Sequence, residues 1–163
     1  MIRNAAKALI ISSNKILMIK FQNTVTNMLS DLPVGAYYYD LPGGGQNQYE
    51  TLEEAVRREC LEETGHIVVI EGLAAIYEEI FMNKDFREEW PDYAHKVHFL
   101  FICYLTDKPR KPLVEGDFDM LEPVWVDIAD IDANFPLHPK IIKDNFQRVL
   151  ASKNTLYLGS ECV

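Results

Sequence analysis

The sequence predicts an α/β protein: strands in mixed order around two helices, arranged either as α+β or as a layered α/β/α sandwich. Two observations carry this. Short runs rich in β-branched and aromatic residues recur along the chain. Two stretches, about 52–64 and 138–152, instead repeat their apolar residues at helical spacing. The length of 163 residues and apolar fraction of 48% suit one domain with its own core, spanning 1–163.

The elements follow in order. Residues 5–12 (AAKALIIS) and 15–21 (KILMIKF) are β-prone and separated only by Ser13-Asn14, which predicts a hairpin. Residues 22–36 are polar, with a Pro and a Gly, and read as a long loop. The stretch 37-YYYDLPGGG-45 is an aromatic strand running into a glycine turn. The first helix begins after Thr51, which with Glu54 forms a capping box, and stops at Gly65. Residues 67–70 and 73–81 are expected as two strands. The charged segment 82-MNKDFREEWPDYA-94 is too polar for a strand and is expected to be a mobile loop. A strand at 95–105, a loop at 106–120, a last strand at 123–128 and the amphipathic helix at 138–152 complete the chain.

The composition narrows the function. Lys plus Arg total 16 against 25 Asp plus Glu, a formal net charge of -9. That argues against a partner such as duplex DNA or RNA, which needs a basic face, yet allows a small phosphorylated ligand held through divalent cations. The longest apolar run, 99-FLFICYL-105, is too short to span a bilayer, so no membrane partner is expected. Three widely spaced cysteines, Cys60, Cys103 and Cys162, suggest neither a disulfide framework nor a zinc site. A reducing, cytoplasmic location is expected.

The first helix poses a charge problem. Glu59, Glu62 and Glu63 crowd its last turn, where the backbone dipole is already negative. On a helical wheel Leu52, Ala55, Val56 and Cys60 form one stripe. Glu59 and Glu63 fall inside it and Glu62 at its edge, whereas Glu53, Glu54, Arg57 and Arg58 lie opposite, in two favourable i, i+4 pairs. Two readings of the inward acids stand: ordinary surface glutamates, or carboxylates neutralised by a bound cation, for which oxygen ligands suit Mg²⁺ or Mn²⁺. The turn Pro42-Gly43-Gly44-Gly45 lies just before the helix and lets backbone approach a ligand closely, but lacks the Gly-Lys-Ser/Thr ending of a P-loop.

The order Gly44, five residues, Glu50, seven residues, Arg58-Glu59-Cys60-x-Glu62-Glu63-x-Gly65-His66 resembles the Nudix box, with seven charged or glycine positions matching in type and spacing. Cys60 and His66 stand where that family has bulky aliphatics. The resemblance implies an α/β/α sandwich with a mixed central sheet. It also implies Mg²⁺-dependent hydrolysis, with Mn²⁺ as substitute, of a phosphoanhydride in a nucleoside diphosphate linked to another group. On it, Glu59, Glu62, Glu63 and the Gly44 carbonyl are expected metal ligands. Glu59 is also the candidate for orienting or deprotonating the water, and Glu50 with Arg58 braces the loop against the helix. Outside the box, Glu115 is the best-placed further catalytic carboxylate, ahead of Glu88 and Glu89.

Substrate contacts are expected from Lys20, meeting a phosphate, Tyr39, stacking on a base, and Trp90, closing over the site as part of a lid at 82–94. His95 and His98 are expected to be plain strand residues. The partner is a small nucleotide, and a homodimer is allowed. The proline and tyrosine markers of the ADP-ribose and dinucleoside polyphosphate subfamilies are missing, since Met82, Asn83 and Lys84 occupy those positions. The alternative function is a non-catalytic Nudix domain that senses a nucleotide, but such domains commonly lose the box acids, which this chain keeps.

Overall fold

The computed structural model describes residues 1–24, 32–113 and 119–163. A mixed sheet of eight strands lies between two helices, giving the α/β/α sandwich. Strands β1 (Arg3–Ser12), β2 (Lys15–Gln22), β3 (Tyr37–Asp40), β4 (Gly43–Gly45), β5 (Val68–Ile80), β6 (His95–Leu105), β7 (Met120–Asp127) and β8 (Leu156–Cys162) make up the sheet. The order is β3-β2-β1-β6-β5-β8, with β4 added to β1 and β7 to β2. The β1–β6 and β5–β8 pairs are parallel and the others antiparallel.

Helix α1 (Leu52–Thr64) covers one face. Its Ala55, Val56 and Cys60 pack on Ala6, Ala8, Ile10 and Leu17. Helix α3 (Lys140–Ala151) covers the other, setting Ile142, Phe146 and Val149 against Leu9, Met18, Tyr77 and Leu100. Alternate residues of β1 thus feed opposite layers, as strand periodicity requires. The predicted hairpin forms, pairing Ile10 with Leu17, and Ser13 and Asn14 both take left-handed φ angles of 48° and 62°. Two consecutive left-handed residues match the twist of the flanking strands.

Four expectations need correction. Residues 67–70 and 73–81 are one strand, because bulges at Ile70/Gly72 and Leu73/Ala75 absorb Glu71 and Ala74 without ending the ladder. The segment 82–94 holds a short helix, α2 (Lys84–Glu89), which starts where the Asn83 side chain accepts the Phe86 amide at 3.0 Å. Phe86 anchors it by stacking on Phe81 at 4.4 Å. The strand expected at 123–128 begins at Met120 and gives way to a 3₁₀ turn at Ile128–Asp130. Beyond α3, β8 was not expected: Gly159 and Ser160 interrupt its alternation, and it pairs parallel to β5 at the sheet edge. The loops at 22–36 and 106–120 fall partly outside the described residues.

Candidate active site

Helix α1 starts on the predicted capping box: Thr51 accepts the Glu54 amide, and Glu54 accepts the Thr51 amide at 2.8 Å. Gly65 closes it in the left-handed conformation with φ 72°. On the solvated side Arg57 meets Glu53 at 3.4 Å. The second expected pair does not form, because Glu54 is committed to the cap and Arg58 turns toward the glycine strand.

Arg58 is the hub. Its Nε and Nη2 donate to the two oxygens of Glu50 at 2.8 and 3.0 Å. Its Nη1 donates to Glu59 at 2.7 Å and Glu62 at 3.1 Å, and Nη2 also reaches the Gly45 carbonyl at 3.0 Å. A planar guanidinium satisfies several acceptors at fixed angles, which an ammonium does not. The hydrogen bonds that Arg58 donates to Glu50, with Glu59 beside them, push the Arg58 pKa up, and the Arg58 contact in turn holds the Glu50 carboxyl below the usual carboxylate range. Glu50 also accepts the Asn47 amide at 2.9 Å and so ties the loop before the helix to the helix itself.

Glu63 lies on the buried side, 6% exposed, and accepts the Gly43 amide at 2.7 Å. Glycine is required on this strand. Gly43 has φ 132°, and a Cβ there would fall 2.1 Å from the Ala6 carbonyl oxygen. A Cβ on Gly44 would lie 2.7 Å from the Glu59 carboxyl, in the space between the strand and that acid. Lys7 supports the same corner from inside the sheet, donating to Asp40 at 2.8 Å and to the Leu41 carbonyl at 3.0 Å. Burial alone would lower the Lys7 pKa, but Asp40 and Glu63 outweigh it and raise it. Sequence reasoning passed over Lys7, although a lone charge inside AAKALII was a signal that the run needed a buried partner.

Glu50, Arg58, Glu59, Glu62, Glu63 and Gly44 therefore meet in one place. The donor set is carboxylate and carbonyl oxygen throughout, which fits a hard divalent cation. In the arrangement seen, Glu59 and Glu62 are drawn to Arg58 and Glu63 to Gly43, and no three acids among the described residues already form a cation cage.

The remaining candidates lie apart. Lys20 sits over the Tyr37 ring at 4.3 Å. Tyr39 packs against Phe135 at 4.9 Å, beside the α3 core. Trp90 caps α2, half exposed, and meets the Tyr93 ring edge-on at 6.2 Å. Glu88 and Glu89 are exposed on α2, with Glu88 3.6 Å from Lys84. Glu115 lies outside the described residues. His66 is half-buried, edge-on to Trp125 at 6.3 Å, so the place of an aliphatic is filled by a ring. His95 and His98 are in β6 as expected.

The NUDIX domain family matches residues 1–146. The chain belongs to the Nudix family. A relative in Methanocaldococcus jannaschii named ADP-ribose pyrophosphatase is 32% identical over 140 residues, covering 86% of this chain and 70% of its own length. Among solved structures, a NUDIX hydrolase from Nitrosomonas europaea superposes with a TM-score of 0.69 at 20% identity, covering 95% of this chain and 93% of its own. A MutT protein from Methanosarcina mazei Go1 gives 0.62 at 23% identity, with 91% and 92% covered. At these identities the two structures bear on the fold alone. This Nudix hydrolase keeps the helix, glycine strand and acids of the box in one assembly. No helix among the described residues is long and apolar enough to cross a membrane.

Proposed function

We propose that this Nudix hydrolase splits the phosphoanhydride of a nucleoside diphosphate linked to a second group, with Mg²⁺ as the working cation and Mn²⁺ as a substitute. The observation that carries this is the meeting of Glu59 and Glu62 on one nitrogen of Arg58, beside a glycine strand pinned by buried Glu63. A sensor domain has no need to keep such a cluster, whereas a hydrolase does. A chemical guide to substrate is the 32% identical relative named ADP-ribose pyrophosphatase, which makes ADP-ribose the first compound to test.

Glu59, Glu62, Glu63 and the Gly44 carbonyl would hold the cation. When bound, it supplies positive charge to the diphosphate oxygens and acidifies a water. The protein's own groups do the rest. Glu59, whose carboxyl lies so close over Gly44 that a Cβ there would come within 2.7 Å of it, is the group assigned the proton of the attacking water. Arg58 sets the directions of Glu59 and Glu62, and Glu50 fixes Arg58 by a two-pronged contact. Water oxygen adds to one phosphorus, the bridging P–O bond breaks, and two monophosphates leave. ADP-ribose would give AMP and ribose 5-phosphate.

The test is product release from a panel of ADP-ribose, other nucleoside diphosphate sugars, dinucleoside polyphosphates and nucleoside triphosphates, with Mg²⁺ and with EDTA. Metal-dependent formation of two monophosphates from a diphosphate-linked member supports the reading. Hydrolysis of triphosphates alone would refute it.

A further inference from the structure

We infer that Lys7 is a positioning residue of the cation site, acting from the face of β1 opposite α1 by holding the link that leads into Gly43 and Gly44. The inference rests on the metal-dependent hydrolase reading and adds a residue that the box does not contain.

The link matters because the chain changes partner there. Strand β3 pairs with β2 and ends at Asp40, whereas β4 pairs with β1 and begins at Gly43. Leu41 and Pro42 cross between the two ladders, and Leu41 is buried. Buried backbone groups in such a crossing take their hydrogen bonds from outside the regular ladder. The Pro42 carbonyl accepts the Ala8 amide at 2.8 Å. The Leu41 carbonyl accepts from the Lys7 ammonium at 3.0 Å, and the same ammonium donates to Asp40 at 2.8 Å. Asp40 in turn accepts the Leu41 amide at 2.6 Å. Lys7 and Asp40 thus grip residue 41 at both of its polar ends.

The cation site begins two residues later. Lys7 is the register partner of Gly43, and Ala6 that of Gly44. The Gly43 amide donates to Glu63 at 2.7 Å, and the Gly44 carbonyl is the expected backbone ligand. Glycines have no side chains to anchor them, so their place depends on what holds the backbone at either end. Alternation along β1 sends Ala6 and Ala8 under α1 and Lys7 with Leu9 to the other face. The grip therefore acts on the acids through the backbone and not by touching substrate.

Stability alone does not call for a lysine here. A buried ion pair is often replaced by apolar residues of similar volume without loss, and the Lys7 and Asp40 side chains are 12% and 23% exposed. What an apolar residue cannot do is donate to the Leu41 carbonyl. Charge and position also act in opposite directions. An ammonium near Glu63 repels a metal ion held by that acid, so a Lys7 that acted through its field alone would bind the metal tighter once replaced. Asp40 offsets that field, which leaves the hydrogen bond to Leu41 as the larger effect.

The test is binding of Mn²⁺ alone, read by electron paramagnetic resonance without substrate, beside urea unfolding and turnover of the nucleotide panel. Lys7→Met should bind Mn²⁺ about tenfold weaker, the low end of what loss of a ligand-orienting group costs. Lys7→Met with Asp40→Asn removes both charges and keeps an acceptor for the Leu41 amide. It should recover the stability that Lys7→Met loses, yet still bind Mn²⁺ about tenfold weaker than the parent. The double variant decides alone where Lys7→Met does not fold. Lys15→Met, which breaks an exposed pair with Asp127, should match the parent throughout. Tighter binding in Lys7→Met, or parent-like affinity in the double variant, would overturn the inference and leave the hydrolase reading standing. Weakened Mn²⁺ binding in both, with no hydrolysis of any panel member by the parent, would support the positioning role and overturn the catalytic reading. A parent that binds no Mn²⁺ would overturn both.

Discussion

Replacing Arg58 by Met keeps most of the side-chain volume and removes the cation that Glu50, Glu59 and Glu62 share. The structure sets the size of the effect. Exposed ion pairs contribute only about 0–1 kcal/mol, whereas breaking a buried pair by removing one partner costs about 3–5 kcal/mol. Arg58 is 27% exposed at its side chain, Glu50 and Glu59 are each 14% exposed and Glu62 is 41% exposed, which places the cluster between the two limits. Arg58→Met should therefore destabilise the metal-free protein by about 2–3 kcal/mol, measured as a lower urea midpoint with an unchanged m-value. The loss has a particular character, since three carboxylates are left facing one another. A cation that binds them relieves this, so saturating Mg²⁺ should recover more stability in Arg58→Met than in the parent. A loss below about 0.5 kcal/mol, or an equal response of both proteins to Mg²⁺, would refute the placing of these acids in one electrostatic unit.

Three further outcomes are expected. Glu63→Ala leaves the buried Gly43 amide without this acceptor and should cost about 1–3 kcal/mol in urea unfolding, whereas Glu63→Gln, which keeps an oxygen acceptor, should retain most stability and lose turnover. Gly44→Ala drives a methyl to within 2.7 Å of the Glu59 carboxyl, so activity should fall at least tenfold with a melting temperature close to the parent's. His98 is buried, and burial depresses its pKa from 6.5 despite the pull of Glu79 3.4 Å away. The unfolded chain then binds the extra proton first, and stability should decline as pH falls below 6.5, at most about 1.4 kcal/mol per pH unit. His98→Asn should flatten that part of the stability–pH curve, and an unaltered curve would remove His98 from the explanation.

What the sequence made legible divides along physical lines. The capping box, the stop at Gly65, the two-residue hairpin and the two packing helices rest on local rules, and each forms where the residues place it. The inward acids were legible because three like charges at the wrong end of a helix ask for a partner. The wheel erred on Arg58, which it assigned to solvent, since a wheel records direction and not the reach of a long side chain past its own turn. Strand β5 looked like two because bulges are set by pairing with β6 and β8, which no local pattern contains. Helix α2 is too short for a helical period to show, and β8 reads as a polar tail until β5 supplies its neighbour. Arg3 and Tyr93 are 90 positions apart in sequence and meet only through the turn after α2, so nothing in either segment announced their contact.

The most direct test of the central claim, that the box acids carry a cation for hydrolysis, is turnover of ADP-ribose against Mg²⁺ concentration in the parent, Glu62→Gln and Glu53→Gln. All three proteins should fold alike. The parent and Glu53→Gln should show the same saturable Mg²⁺ dependence. Glu62→Gln should lose at least tenfold in rate, corresponding to about 1.4 kcal/mol or more of transition-state stabilisation, and need more Mg²⁺ for half its maximum. Equal rates and equal Mg²⁺ dependence in all three would contradict the account.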